Sequence, residues 1–355
     1  MSGTATIPLS DFITLQRGFD LPTAQRKEGT YPVVASTGIA GYHNEHKVEG
    51  PGVVIGRSGS IGGGQYIDGD FWPLNTTLWV KDFKGNSPRF TYYLLKSIDF
   101  SRYNAGAGVP TLNRNHIASL RIRIYERPQQ ERIASILSAY DELIENNRRR
   151  IQLLEQAARL LYKEWFVHLR FPGHEHVKIV DGVPEGWERV PLGDLLTLQR
   201  GFDLPVKQRK DGPFPIYAST GINGFHNVAK VKGPGVVTGR SGSLGTVMYV
   251  PRDFWPLNTA LWIKEFKKVG PLFATHLLSE MHLEQYSGGA AVPTLNRNDV
   301  HSISCLCPTI SLMRHFAVFS GSLEQQMQNL KRSIEELARA RDLLLPRLMN
   351  GEVSV

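Results

Sequence analysis

From Ile133 onward, apolar side chains recur at alternating intervals of four and three: Ile133, Leu137, Tyr140, Ile144, Asn147, Ile151, Leu154, Ala158, Leu161 and Trp165. This is the seam of a heptad helix, interrupted by one polar residue, Asn147. A second seam, less perfect but in the same register, runs through Phe316, Ser320, Leu323, Met327, Leu330, Ile334, Leu337, Arg341, Leu344 and Leu348. Elsewhere the apolar runs are short and strand-like, at 53–55, 77–80 and 120–125, and are broken by Gly, Pro and Asn. The pattern predicts a turn-rich α+β domain with twisted sheets, then a long helix, and then both again.

The repetition is literal. Leu15-Gln16-Arg17-Gly18-Phe19-Asp20-Leu21-Pro22 returns unchanged from Leu198, an offset of 183 residues. Without a gap, the same offset carries Gly50-Pro51-Gly52-Val53-Val54, Gly56-Arg57-Ser58-Gly59-Ser60, Asp70-Phe71-Trp72-Pro73-Leu74-Asn75-Thr76 and Val109-Pro110-Thr111-Leu112-Asn113-Arg114-Asn115 onto second copies. The chain therefore divides into a first turn-rich globular domain (1–127), a central helix (128–171), a connector with the second, similar domain (172–310) and a C-terminal helix (311–355). Two heptad helices in one chain are expected to pair. Antiparallel pairing, with the Pro- and Gly-bearing segment 171–187 reversing the chain, relates the halves by a pseudo-twofold axis. Asn147 either fixes the register of that pair or is simply solvated. At 1.5 Å per residue the first seam makes a rod of about 50 Å.

Charge and composition narrow the function. The 355 residues carry 41 Lys and Arg against 33 Asp and Glu, a formal charge of +8 that suits a polyanionic partner. No apolar run approaches the ~18 residues of a membrane span. The N-terminus lacks a signal-peptide pattern, and the two cysteines, Cys305 and Cys307, form no disulfide framework. The expected location is the cytoplasm.

Several motifs could carry chemistry. The Gly-rich turns at Arg57-Ser58 and Arg240-Ser241 follow apolar strands, where amide groups and an arginine could hold a phosphate; the alternative is a plain connecting turn. Neither ends in Gly-Lys-Ser/Thr, so neither is a nucleotide loop. Gln16-Arg17 and Gln199-Arg200, with Asn113-Arg114-Asn115 and Asn296-Arg297-Asn298, carry side chains suited to the edges of guanine and adenine, though all also populate turns. His43-Asn44 and His226-Asn227 lie in polar loops and are ranked with them. Phe71-Trp72 and Phe254-Trp255 read as core. His174-Glu175-His176 lacks companion metal ligands, and no catalytic Ser-His-Asp set is twinned by the repeat. Arg148-Arg149-Arg150 is either a solvated helix face or a contact to phosphates or an acidic partner.

The chain resembles the specificity subunits of type I restriction-modification systems. The resemblance rests on the Pro-Leu-Ser-Asp-Phe and Pro-Leu-Gly-Asp-Leu entries at Pro8 and Pro191, the paired Leu-Gln-Arg-Gly and Gly-Arg-Ser-Gly-Ser words, Pro128-Gln129-Gln130-Glu131-Arg132-Ile133 entering the first long helix, and Asn146-Asn147-Arg148-Arg149-Arg150-Ile151. It implies a non-catalytic subunit that reads a bipartite site on double-stranded DNA. It also implies two methyltransferase subunits and restriction/translocase subunits as partners. S-adenosylmethionine, ATP and Mg would belong to those partners. The second helix, entered from Cys307-Pro308-Thr309-Ile310, lacks the Gln-Gln-Glu-Arg-Ile word, so its partner contact is expected to differ in detail. A type IIB-like specificity subunit, a coiled-coil adaptor with no DNA role and a hydrolase are the rival readings. Because the copies are so alike, the target is expected to be nearly an inverted repeat, broken where they differ: Thr23-Ala24 against Val206-Lys207, Ala40 against Asn223, Glu45-His46 against Val228-Ala229, and Gly63-Gly64-Gln65 against Thr246-Val247-Met248. Asn223 is the leading candidate for such a break, since an amide can pair with adenine where Ala40 offers a methyl group.

Overall fold

The structure, a computed structural model, describes residues 6–288 and 293–355. Val292, the first residue of the second Val-Pro-Thr-Leu-Asn-Arg-Asn word, lies outside the described residues. In chain order the first repeat contains β1 (Thr6–Pro8), α1 (Leu9–Phe12), β2 (Thr14–Arg17), β3 (Tyr31–Ala35), β4 (Gly38–His43), β5 (Gly52–Gly56), β6 (Gly62–Ile67), β7 (Trp72–Pro73), β8 (Thr77–Asp82), α2 (Pro88–Ser97), α3 (Arg114–Ala118), β9 (Arg121–Arg123) and the long α4 (Arg127–Tyr162). The second contains β10 (Ile179–Val180), β11 (Val183–Pro184), β12 (Glu188–Pro191), α5 (Leu192–Leu195), β13 (Leu196–Arg200), β14 (Phe214–Ala218), β15 (Gly221–His226), β16 (Gly235–Gly239), β17 (Val247–Val250), β18 (Trp255–Pro256), β19 (Ala260–Phe266), α6 (Pro271–Glu280), α7 (Arg297–His301), β20 (Ser304–Cys307) and α8 (Ile310–Met349).

Each repeat folds its strands the same way. An antiparallel sheet of order β2-β8-β5-β6 is matched by β13-β19-β16-β17, and a three-stranded sheet β4-β3-β7 by β15-β14-β18, with only the last pair in each parallel. Strand β5 shows why the pattern works, since all five of its residues are buried. Successive side chains on a strand point to opposite faces. Val53 and Ile55 join the core beneath α2, while Val54 packs with Phe71 and Val34 against the smaller sheet. Helix α2 begins at Pro88 because Ser87 accepts a hydrogen bond from the Phe90 amide (3.4 Å), and the proline costs nothing at the first helical position. The recurring glycine of the Leu-Gln-Arg-Gly word is a packing requirement: a Cβ on Gly18 would stand 2.2 Å from the Leu74 carbonyl oxygen, and one on Gly201 equally close to that of Leu257.

The chain divides into two compact units that do not follow the repeat boundary. One holds the residues up to Arg148 together with Lys331–Val355; the other is Arg149–Leu330. Each is therefore a recognition-type domain completed by part of both long helices. In the first unit Ile133, Leu137 and Ala134 of α4 share a core with Leu345, Leu348 and Met349 of α8. Asn147 Nδ2 donates to Ser333 Oγ (3.3 Å) and Arg341 pairs with Asp141, so the helices run antiparallel there. In the second unit Tyr162, Trp165 and Phe166 meet Phe316 and Phe273. Adding 183 converts Tyr162, Trp165 and Phe166 into Leu345, Leu348 and Met349, so each helix end plugs the other repeat's domain, one with aromatic rings and one with aliphatic chains. Residues 163–167, carrying Trp165 and Phe166, form a wider π turn at the end of α4. Along the two seams Ile133, Leu137, Ile144, Asn147, Ile151 and Leu330 are buried, whereas Leu154, Leu161, Leu323, Ile334, Leu337 and Leu344 are half-buried.

The missing Gln-Gln-Glu-Arg-Ile word has an internal explanation. Gln130 is 2% exposed. Its Oε1 accepts from the Ser87 amide (2.9 Å), and its Nε2 donates to Asn86 Oδ1 and the Tyr125 carbonyl (both 2.8 Å). In the second unit these four positions are Met313, Gly270, Val269 and Pro308. The side chains of this buried polar network are replaced together by apolar or side-chain-free residues.

Candidate nucleic-acid interface

Three of the repeated words, distant in sequence, line one open cleft of about 700 Å³ in the first unit: Gln16 to Asp20 from the end of β2, Arg57 from the turn after β5, and Thr111 to Arg114 ahead of α3. Backbone hydrogen bonds stitch them together. The Arg57 and Ser58 amides donate to the Thr76 carbonyl (2.8 and 3.1 Å), the Gly59 amide to that of Pro110 (3.0 Å), and the Leu112 amide to that of Arg57 (2.7 Å). The second unit repeats every bond, with Arg240 and Ser241 on Thr259, Gly242 on Pro293, and Leu295 on Arg240.

This stitching corrects one expectation. The amides of the Gly-Arg-Ser-Gly turns cannot cradle a phosphate, because those of Arg57, Ser58 and Gly59 and their counterparts are already spent on carbonyls. What the turn does present is a half-buried guanidinium. One nitrogen of Arg57 donates to the Asn75 carbonyl (3.3 Å), and one of Arg240 to that of Asn258 (3.4 Å), which aims the group without neutralising it. Glycine at 59 and 242 serves the turn itself, with φ of +82° and +83°.

The other candidates separate by exposure. Arg17 and Arg200 are exposed and lie beside Asp20 (4.0 Å) and Asp203 (3.3 Å); Asn75 and Asn258 also bind these two carboxylates, locking the cleft floor. Gln16, Gln199, Ser58 and Ser241 are half-buried at its edge. Asn113 and Asn296 are helix caps whose Oδ1 atoms accept from the amides of Asn115 and Asn298 (3.0 Å each). Arg114, Asn115, Arg297 and Asn298 project into solvent. His43 and His226 are not on the surface. They are 4% and 7% exposed, edge-on to Trp72 and Trp255, and Nδ1 accepts from the amides of Lys27 (3.0 Å) and Lys210 (3.1 Å). They pin the preceding turn, leaving Asn44 and Asn227 as the exposed members of those pairs.

Asn223 is exposed on β15. One nitrogen of Arg209 donates to both its carbonyl (2.7 Å) and its Oδ1 (2.9 Å). The equivalent Arg26 reaches the Ala40 carbonyl (2.8 Å) and has no side chain to grip. Sequence reasoning passed over Arg26 and Arg209. Their signal, an arginine kept at the same offset in both copies ahead of a polar hairpin, was present but indistinct from a solvated charge. Arg148, Arg149 and Arg150 are exposed on α4. Among the described residues no group of three or more His, Cys, Asp or Glu could hold a metal, and no helix is long and apolar enough to cross a membrane.

The arrangement presents guanidinium, carboxamide and hydroxyl groups on fixed backbone around an open cleft in the first unit, and the second unit repeats the residues and the bonds that fix them. Such side chains hydrogen-bond phosphates and base edges. Comparison with known proteins agrees with that chemistry. Residues 1–156 match the family described as Type I restriction modification DNA specificity domain. The MjaIX type I restriction enzyme specificity subunit of Methanocaldococcus jannaschii is 26% identical over 318 residues, covering 80% of this chain and 74% of the relative. The HindI specificity subunit of Haemophilus influenzae is 24% identical, covering 82% and 84%. The crystal structure of a type I restriction-modification S subunit from M. genitalium shares the fold, with a TM-score of 0.64 at 19% identity over 98% of this chain and 96% of that one.

Proposed function

We propose that this chain is a specificity subunit of a type I restriction-modification system and that each of its two units reads one half of a bipartite DNA target. The chain is the sequence-reading, non-catalytic member of a multi-subunit complex that works on DNA. Methyl transfer to adenine N6 falls to two methyltransferase subunits docked on it, and restriction to a translocase subunit. S-adenosylmethionine, ATP and Mg are bound by those partners. The observation that carries the reading is the recurrence of one set of stitching bonds in both units, with Gln16, Arg17, Arg57, Ser58, Asn113, Arg114 and Asn115 matched by identical residues 183 positions on.

The same identity bears on the target. Two equal helices paired antiparallel are exchanged by a twofold rotation, and antiparallel contacts are present inside the first unit. Like domains exchanged in that way read like half-sites on opposite strands, so the target is an inverted repeat or nearly one. Methylation-sensitive long-read sequencing of DNA from cells with and without this gene tests the proposal. The expected result is one bipartite motif, methylated only when the gene is present, whose halves are inverted copies at most positions. Two unrelated half-sites would restrict recognition to the few differing loops, and no gene-dependent motif would defeat the reading.

A further inference from the structure

The two recognition segments carry almost the same total charge, +4 over residues 1–127 and +3 over residues 184–310, yet they place it differently. Residues 18–76 hold four Lys and Arg against six Asp and Glu; the matching residues 201–259 hold seven against three. Five positions account for the change of six charges, all in one direction: Ala24 against Lys207, Glu45 against Val228, Glu49 against Lys232, Asp68 against Pro251, and Gly69 against Arg252.

In the second unit the resulting cations border one strand. The turn carrying Lys207 runs along β15, tied by the bonds from Arg209 to Asn223 and from the Lys210 amide to His226. On the other border the Arg252 guanidinium stands 6.0 Å from the Phe225 ring centre, and the Gly233 amide donates to Asp253 (2.9 Å), holding Lys232 beside it. Lys207, Lys210, Lys230, Lys232 and Arg252 are exposed, and among the described residues none has a carboxylate within 4.0 Å. Between the two borders β15 offers Ile222, Asn223 and Phe225 to solvent. In the first unit the equivalent ground is acidic: Glu45 and Glu49 are exposed and Asp68 occupies Arg89 (3.2 Å). An exposed β-ribbon flanked by cations suits a DNA groove with its two phosphate walls.

We infer that the face around β15 grips the phosphate backbone of its half-site while the face around β4 does not, so the two half-sites are held unequally and the second unit supplies most of the salt-sensitive affinity. The inference rests on the recognition reading above. Each phosphate neutralised contributes about 0.9 to the slope of log affinity against log salt.

The test uses the full chain in complex with its methyltransferase partners and a fluorescent duplex bearing the methylated motif, titrated at several salt concentrations. Giving the second unit the first unit's residues, K207A/K232E/R252G, should lower the slope by about three, shrinking the affinity lost between 50 and 200 mM salt by some tens of fold. The reverse exchange, A24K/E49K/G69R, should steepen it; position 69 has open space for the new side chain. Each substitution places a residue that the other copy of the fold already carries. Specific binding with the slope unmoved by both exchanges overturns the inference alone. A wild-type complex that prefers no duplex overturns the recognition reading and the inference with it.

Discussion

Arg57 and Arg240 are held by one carbonyl each and, among the described residues, have no carboxylate within 4.0 Å, so under the proposed function their charge is available to a phosphate. Replacing either with Ala is expected to weaken binding to every sequence and to reduce the salt slope by about one, with base preference intact; a changed motif at constant slope would reassign them to base reading. Gln130 predicts a stability effect. Gln130→Ala strips partners from the Ser87 amide and Asn86, and should cost about 1–3 kcal/mol in denaturant unfolding. His276 predicts a pH effect. It stacks on Tyr162 (5.6 Å) and abuts Phe316, and burial lowers its pKa to about 4, opposed weakly by Glu280. Unfolded, it takes its proton near pH 6.5. Between those values the unfolded chain binds more protons, so stability present above pH 6.5 is lost as the pH falls towards 4, by up to about 3 kcal/mol. The unfolding midpoint of His276→Phe should fall less steeply than that of the wild type over this range.

At the scale of elements, the long helices and the β-core were legible because their signals are periodic and local. A buried strand such as β5 declares itself by an unbroken apolar run, and α4 by its four-three spacing. Asn147 resolves in favour of a pairing role, since it is 8% exposed and bonds Ser333 across the helices. The site was legible only as vocabulary. That Gln16, Arg57 and Asn113 border one cleft was invisible, because the bonds that gather them join carbonyls some twenty to fifty residues away. The same non-local bonds consumed the turn amides that had suggested a phosphate nest. His43 looked like a loop residue because its burial depends on Trp72, a partner that no local pattern names.

For the whole molecule, the repeat told how many domains there are but not which pieces of chain complete each one. The end of α8 belongs to the first unit: Tyr125 donates its hydroxyl proton to the Leu348 carbonyl (2.7 Å), and Leu345, Leu348 and Met349 share a core with Leu9, Ile133 and Leu137. Burying three such side chains contributes roughly 5–9 kcal/mol, comparable to the net stability of a domain. Deleting residues 341–355 should therefore abolish hydrogen-exchange protection in β5 and α2 while leaving β16 and α6 protected; equal loss in both would show that the units do not hold independently.

That interleaving also sets an order of events on the ribosome. The second unit is one uninterrupted stretch, Arg149–Leu330, and can close as soon as it has emerged. The first unit, begun earlier, must wait for Lys331 and beyond, a delay of roughly ten to forty seconds at ordinary rates of synthesis. Throughout that interval Ile133 and Leu137 lack their cover from Leu345, Leu348 and Met349, so the unit begun earlier is the one completed later.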